Sequence, residues 1–165
     1  MDVFVAEPDV SQTAYILTPE QEFTAFFPEA ERRLRAALIA SWGREIGSEA
    51  AADALAWAWQ YWPRVRSMRN PYGYLYRVGQ TAARRARPSP SVRSAGDVDS
   101  AEVEPRLKSG LAAMTNRQRT VVLLVIGDQW TQQEVADLLG ISHSSVRTHL
   151  RRGLEFLQDW IGEAK

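Results

Sequence analysis

The sequence predicts an all-α protein made of two small helical domains joined by a flexible linker. Apolar side chains recur at helical spacing along most of the chain, and no segment shows the alternation that is typical of a β-strand. Between two such regions lies a stretch rich in Pro, Ser, Gly and acidic residues, which is a linker composition. We therefore expect an acidic N-terminal tail (1–17), a first helical domain (18–88), the linker (89–104) and a second helical domain (105–165).

The first predicted helix begins with a capping signal. Thr18 is a suitable N-cap, Pro19 suits the first helical position, and Gln21 completes a capping box. Apolar residues continue at helical spacing beyond this point, but Pro28 lacks the N–H that a helix interior needs. The sequence therefore predicts a helix from Thr18 with a break or kink at Pro28, ending at a turn marked by Gly43.

Two further helices are expected in the first domain. One begins with Ser48 as its cap and runs to about Trp62, where Pro63 ends it. A short basic loop follows as far as Arg69, and Asn70 together with Pro71 then starts a helix that ends at Pro88. Trp59 and Trp62 lie on one face of the earlier helix, so we expect both indoles to pack in the core.

The second domain contains four predicted helices. Two of them span about 106–114 and 116–126. The third begins at a second capping box, Thr131 to Glu134, and ends at Gly140. Ser142 then caps a fourth helix that carries Val146, Leu150, Leu154 and Leu157 on one face.

The last two helices are typical of a helix-turn-helix, in which the second helix enters the DNA major groove. Its first residues then face the bases, and arginines one turn later hold phosphates. Arg147 suits bidentate pairing with guanine, and Ser or Thr can contact several bases. The alternative is a helical hairpin used only for packing. The predicted DNA contacts are His143, Ser144, Ser145, Arg147, Thr148, Arg151 and Arg152.

Composition narrows the classes of function. The chain has 165 residues, of which 45% are hydrophobic and none is Cys, which excludes disulfides, thiolate metal sites and cysteine nucleophiles. No run of about 18 apolar residues exists, so we expect a cytoplasmic protein without a membrane span. The two histidines lie six residues apart and do not share a helix face well, so we expect no metal site. Because motifs for phosphate binding, triads and metal clusters are missing, we expect neither an enzyme nor a cofactor.

Charge is segregated along the chain although the formal net charge is zero. Residues 1–31 carry seven acids and no base, whereas residues 32–87 carry eleven Arg against three acids. A basic section of this kind fits a surface that faces a polyanion, but ordinary solvated helix faces explain it equally well. The acidic stretch is also suited to fold back on the basic section as a shield.

The run WPRVRSMRNPYGYLYRVGQTAARRARP resembles conserved region 2 of bacterial extracytoplasmic-function (ECF) sigma factors. The helix-turn-helix is similar to their region 4, and the likeness covers about residues 20–162. It implies that Glu49 and Asp53 bind the clamp helices of core RNA polymerase. It also implies that the basic loop and the helix after it capture an unpaired base of the promoter −10 element. The residues assigned to the −10 contact are Arg64, Arg66, Arg69, Asn70 and Tyr72.

The chain departs from the family pattern in the helix that would bind polymerase. Glu49 and Asp53 are separated by three alanines where the family has acidic and amide side chains, and Trp57 stands where a polar residue is common. Two readings therefore stay open beside a sigma factor that binds polymerase and the −10 and −35 elements. One is a helix-turn-helix regulator that does not recruit polymerase. The other, compatible with both, is binding of a regulatory protein such as an anti-sigma factor.

Overall fold

The computed structural model of the protein describes residues 17–86 and 105–162. The predicted linker and all of the predicted tail except Leu17 lie outside the described residues. Within the two described ranges every regular element is helical, which confirms the all-α prediction. The helices are α1 (Pro19–Trp42), α2 (Arg44–Gln60), α3 (Trp62–Val65), α4 (Pro71–Ala86), α5 (Pro105–Ala113), α6 (Asn116–Val122), α7 (Gln132–Leu139) and α8 (His143–Gly162).

Helix α1 begins as predicted but does not break at its proline. The Thr18 hydroxyl accepts a hydrogen bond from the Gln21 N–H at 3.3 Å, and the Gln21 side-chain oxygen accepts one from the Thr18 N–H at 2.9 Å. Pro28 lies inside the continuous helix, so the predicted break is wrong. The physical reason is exposure: Pro28 faces solvent, where water can satisfy the carbonyl that the ring leaves free, while α2 packs along α1.

Helix α2 starts five residues earlier than the sequence predicts: its N-cap is Gly43, and the predicted cap Ser48 lies within the helix. Gly43, at a φ of 86°, ends α1 and starts α2 with no intervening loop. The two helices then pass so closely that a Cβ on Gly47 would lie 2.5 Å from the backbone N of Ile39. The predicted loop after Trp62 also contains a helical turn, α3.

Helix α4 packs against both α1 and α2 and completes the first module. Gly79 permits this approach, since a Cβ there would lie 2.5 Å from Leu38 Cδ1 and 3.2 Å from the Ala50 carbonyl oxygen. Leu75, Leu34 and Leu38 are fully buried between these helices. The helix ends with Arg84 and Arg85, which suit the negative end of the helix dipole.

The second module is built on α8, which packs against α5, α6 and α7. The segment predicted as one helix over 116–126 is α6 followed by a turn of π-helix, Leu123–Gly127. The wider turn leads into a loop residue with positive φ, Gln129 at 57°, and then into the buried Trp130. The prediction of one regular α-helix across this segment is therefore only partly correct.

The two modules are in contact. Helix α1 packs against α6, and α4 packs against α7. One cluster of buried residues runs through both modules, from Leu34 and Leu75 on one side to Val121, Val135 and Val146 on the other. The division of the chain into two domains at the predicted boundaries stays a prediction.

Candidate nucleic-acid interface

The turn between α7 and α8 is fixed by local hydrogen bonds. The Glu134 N–H donates to the Thr131 hydroxyl at 3.2 Å, and the Thr131 N–H donates to the Glu134 carboxylate at 2.9 Å. At the other end of α7, Gly140 adopts a left-handed conformation with a φ of 65°, which glycine tolerates best. The Ser142 hydroxyl then accepts a hydrogen bond from the Ser145 N–H at 3.1 Å and caps α8.

Helix α8 presents a polar, cationic face to solvent. Val146 and Leu157 are buried, and Gly153 packs under Val122 and Met114. The opposite side of the helix is free of apolar residues over its first three turns. Its exposed members are His143, Ser144, Arg147, Arg151 and Arg152.

Two of the predicted contacts are less available than the others. Ser145 is half-buried, and its hydroxyl shares a hydrogen bond of 2.7 Å with Ser142. The half-buried Thr148 donates its hydroxyl to the Ser144 carbonyl at 2.9 Å. The Arg151 guanidinium pairs with the exposed Glu155 carboxylate at 2.9 Å, a contact that phosphate can replace. The assignment of all seven side chains to DNA stays a prediction.

Among the described residues no group of three His, Cys, Asp or Glu side chains is arranged to hold a metal ion. Burial, the largest cause, lowers the pKa of His149, and Arg117 and Arg152 act in the same direction. None of the described helices has the length and apolar character needed to cross a membrane.

In the first module, the predicted −10 arginines lie on the exposed side of α3 and the loop after it. Arg64 lies over the Tyr74 ring at 6.0 Å. Arg66 pairs with the Glu22 carboxylate at 2.6 Å, and Glu22 also accepts the Trp62 indole N–H at 3.3 Å. That pairing lowers the pKa of Glu22. Arg66 is therefore a positioned cation rather than a freely moving one.

Asn70 and Tyr72 lie at the contact with the second module. Asn70 caps α4 by accepting the Gly73 N–H at 2.9 Å, and its Nδ2 donates to the Asp137 carbonyl oxygen at 2.7 Å. Tyr72 stacks on Phe26 with ring centroids 5.3 Å apart, and burial raises the pKa of its hydroxyl. Both side chains therefore contact protein at the surface assigned to an unpaired base.

A polar cleft of about 440 Å³ marks this junction. Three of the residues that form or flank the cleft were not predicted from the sequence as site residues: Arg33 and Glu134, whose side chains pair at 3.0 Å, and Trp130. A signal for Trp130 was present, because it precedes the N-cap Thr131, where an apolar residue commonly packs against the first helical turns. No local signal identifies the pairing of Arg33 with a residue 101 positions away.

Both predicted polymerase contacts, Glu49 and Asp53, are exposed on α2. Of the three alanines between them, Ala50 and Ala51 are buried against the rest of the module, and only Ala52 reaches the surface. Small residues at the first two positions thus serve packing. Beside them α1 and α2 form a mainly apolar groove of about 400 Å³. It is lined by Ala51, Ala52, Leu55, Ala56, Phe23, Phe27 and Trp59, together with the polar side chains of Ser48, Glu31 and Arg35.

The tryptophans of this region differ in their environments. Trp62 is buried, with 6% of its surface exposed, as predicted. Trp59 is 50% exposed, so the prediction that it packs in the core is wrong. Its ring contacts Phe23, with centroids 5.0 Å apart, at the edge of α1 rather than beneath it. Trp57 is half-buried between Tyr61 and Tyr74.

Comparison with known proteins finds similarities for the second module and for the fold. Residues 106–157 match the family model described as Sigma-70, region 4. The fold of the chain is similar to that of the sigma factor RpoE from Bartonella quintana, solved in complex with the anti-sigma factor NepR. That match has a TM-score of 0.59 at 16% identity and covers 87% of this chain and 99% of that one. None of the curated protein sequences matches the chain. The resemblance to sigma factors is thereby confirmed for region 4 by sequence and for the fold by structure.

Proposed function

We propose that the protein is a sigma factor of the ECF type, which brings core RNA polymerase to a set of promoters in the cytoplasm. The observation that carries the proposal is the α8 face: a polar, cationic surface on the second helix of a helix-turn-helix, within a segment that matches sigma-70 region 4. The polymerase supplies the catalysis, and the chain supplies recognition.

Each surface has one task in this proposal. Helix α8 reads the −35 duplex with Arg147 and its neighbours, and phosphate contacts from Arg151 and Arg152 fix its position. The basic surface around Arg64 and Arg66 holds the single-stranded −10 segment, where cations bind the backbone and aromatic rings stack on bases. Glu49 and Asp53 bind the clamp helices of polymerase through charge. The zero net charge is compatible with this, because the cationic surfaces are local.

The first test is a pull-down with core RNA polymerase. The wild-type chain should be retained, and Asp53→Arg should lose most of the retention because it reverses a charge at the centre of the α2 surface. Asp159→Arg is the matched control, since it makes the same charge change at an exposed site of α8. Equal retention of Asp53→Arg and the control would remove the clamp contact from α2.

A second candidate is a helix-turn-helix regulator that binds DNA without polymerase. The apolar groove next to Asp53 favours it, because Ala52 and Ala56 offer a polymerase no polar contact. The same pull-down decides between the two. If the wild-type chain is not retained but shifts a specific duplex by itself, the regulator is the correct reading.

We also propose that a protein of the anti-sigma class controls the chain, since the similar RpoE structure contains such a partner. Its presence should prevent retention on polymerase in the same pull-down. A partner that co-purifies with the chain while leaving polymerase retention unchanged would contradict this role.

A further inference from the structure

We propose that the two modules form a closed state in which α7 covers the surface that captures the −10 strand, and that Arg33 holds this state closed. The identity of the covered surface rests on the function proposed above. The contact between the modules itself rests on the structure alone. Opening of this contact is then a required step before a promoter can be melted.

The first observation in support is that α7 occupies a hydrogen-bonding group and space that a bound nucleotide would need. The Asn70 side-chain amide, which would face a base, donates to the Asp137 carbonyl oxygen at 2.7 Å. The approach is close, because a Cβ on Gly73 would lie 2.9 Å from the same oxygen. A strand bound at Asn70 and α7 in its present position exclude each other.

Arg33 contacts charged and aromatic side chains of both modules at the junction. Its guanidinium pairs with the Glu134 carboxylate of α7 at 3.0 Å and with Glu29 on its own helix. It also lies 5.2 Å from the centroid of the Tyr72 ring and 5.2 Å from that of Trp130. Only 21% of the side chain is exposed, so this cation is held by both modules at once.

Deeper in the junction, a chain of hydroxyls joins α1, α4 and α6. Ser41 Oγ lies 2.8 Å from the Tyr76 hydroxyl and 3.0 Å from Thr120 Oγ1. Burial raises the pKa of Tyr76. Arg119 adds a hydrogen bond from its Nε to the Ala40 carbonyl oxygen at 3.4 Å. These directional contacts specify one arrangement of the modules.

One group at the junction has an unfavourable environment in the closed state. The Trp130 indole N–H is buried with no hydrogen-bond partner in the described part of the chain. This cost disappears when water reaches the indole. The second module also keeps a separate apolar cluster of its own, formed by Leu111, Met114, Val122 and Leu157. The junction combines its polar contacts with apolar side chains of the cluster that both modules share, so opening exposes apolar surface as well as these polar groups.

The test of closure needs no DNA. The chain has no cysteine, so spin labels can be placed on cysteines introduced for Glu45 and Gln158, exposed sites on the two modules. The full chain should give one narrow distance distribution. Arg33→Ala should add a second, longer population. Arg35→Ala is the matched control, because Arg35 pairs with Glu31 on the outer side of the same helix and should leave the distribution narrow.

A broad distribution in the unmodified chain, or identical distributions for Arg33→Ala and Arg35→Ala, would overturn the closed state or the role of Arg33 in it. This result is independent of the proposed function. A chain that binds neither polymerase nor DNA can still give the narrow distribution, so failure of one proposal is distinguishable from failure of the other.

The test of occlusion uses a pool of random single-stranded DNA. Removing a cation weakens binding if charge alone acts, whereas opening the modules strengthens it. Arg33→Ala should therefore bind about fivefold more tightly, as expected if one partly buried ion pair holds the closed state. Joining Arg33→Cys to Glu134→Cys with a short bis-maleimide should abolish single-strand binding and leave duplex binding by α8 intact. Weaker binding by Arg33→Ala, or unchanged binding by the cross-linked chain, would contradict occlusion.

Discussion

At the scale of single residues, Gly47 shows how closely the first two helices approach. A Cβ there would lie within 2.6 Å of backbone atoms of Leu38 and Ile39, which cannot move aside as a flexible side chain can. We expect Gly47→Ala to lower the free energy of unfolding by about 1–3 kcal/mol, measured by urea denaturation. Gly162→Ala is the control, since nothing lies within 4 Å of the added methyl group, and it should be neutral or slightly stabilising. Equal effects would show that the helices separate at little cost.

Arg147 is the residue on which base recognition by α8 depends in the proposed function. It is exposed near the start of the helix and has the geometry for a bidentate contact with guanine. We expect Arg147→Ala to weaken binding to a duplex selected by the wild-type chain by about 1–3 kcal/mol and to relax specificity at one position.

The control for that measurement is Arg106→Ala, which removes an exposed arginine of the same module from α5. It should weaken binding to all duplexes slightly and equally. If Arg147→Ala behaves in the same way, the helix contacts phosphates rather than bases.

At the scale of the elements, the capping box of α7 fixes the helix that packs against both α8 and the first module. Thr131→Ala leaves the Glu134 N–H without its partner and should cost about 1 kcal/mol of stability. Thr81→Ala removes a similar hydroxyl, but one that bonds its own helix carbonyl in the exposed middle of α4, and it should cost much less. Unfolding midpoints of the two variants decide this, and equal midpoints would contradict a special role for the cap.

The elements also show which local signals suffice for prediction. Both capping boxes and the left-handed Gly140 were predictable, because their hydrogen bonds join residues at most four apart. The predicted break at Pro28 was wrong because the effect of a proline depends on its packing. What matters is whether the carbonyl that loses its hydrogen bond can meet solvent. The start of α2 was missed since Gly43, read as part of a turn, serves both helices at once. The tertiary environment decided each of these cases.

At the scale of the whole molecule, whether a feature can be predicted from the sequence depends on how far apart in the chain its residues lie. The polar face of α8 is a periodic pattern within one helix, and the sequence alone indicates it. The contact between Asn70 and Asp137 spans 67 positions, and neither residue type implies the other. The arrangement of the modules, and with it the contact that Asn70 makes with α7, therefore had to come from the structure.

The ion pairs around Arg33 make the stability of the whole molecule depend on pH. Hydrogen bonds from Arg32 and Arg33 lower the pKa of Glu29 to about 2, and the Thr131 N–H is the first cause that lowers the pKa of Glu134. A carboxylate whose pKa is depressed by folding stabilises the folded state above its unfolded pKa of about 4.3. That stabilisation is lost as the pH falls from this value towards 2.

We therefore expect the free energy of unfolding of the wild-type chain to fall more steeply than that of Glu29→Gln as the pH is lowered from about 5 to about 3, the range around the unfolded pKa. The variant has no carboxylate to protonate at this position, although it is the less stable of the two at neutral pH. Urea denaturation of both chains across this range measures the two slopes. Parallel slopes would mean that the Glu29 carboxylate and the two arginines contribute nothing to the folded state. In that case Glu134 and the aromatic rings of Tyr72 and Trp130, rather than Glu29, would be what holds Arg33 at the junction.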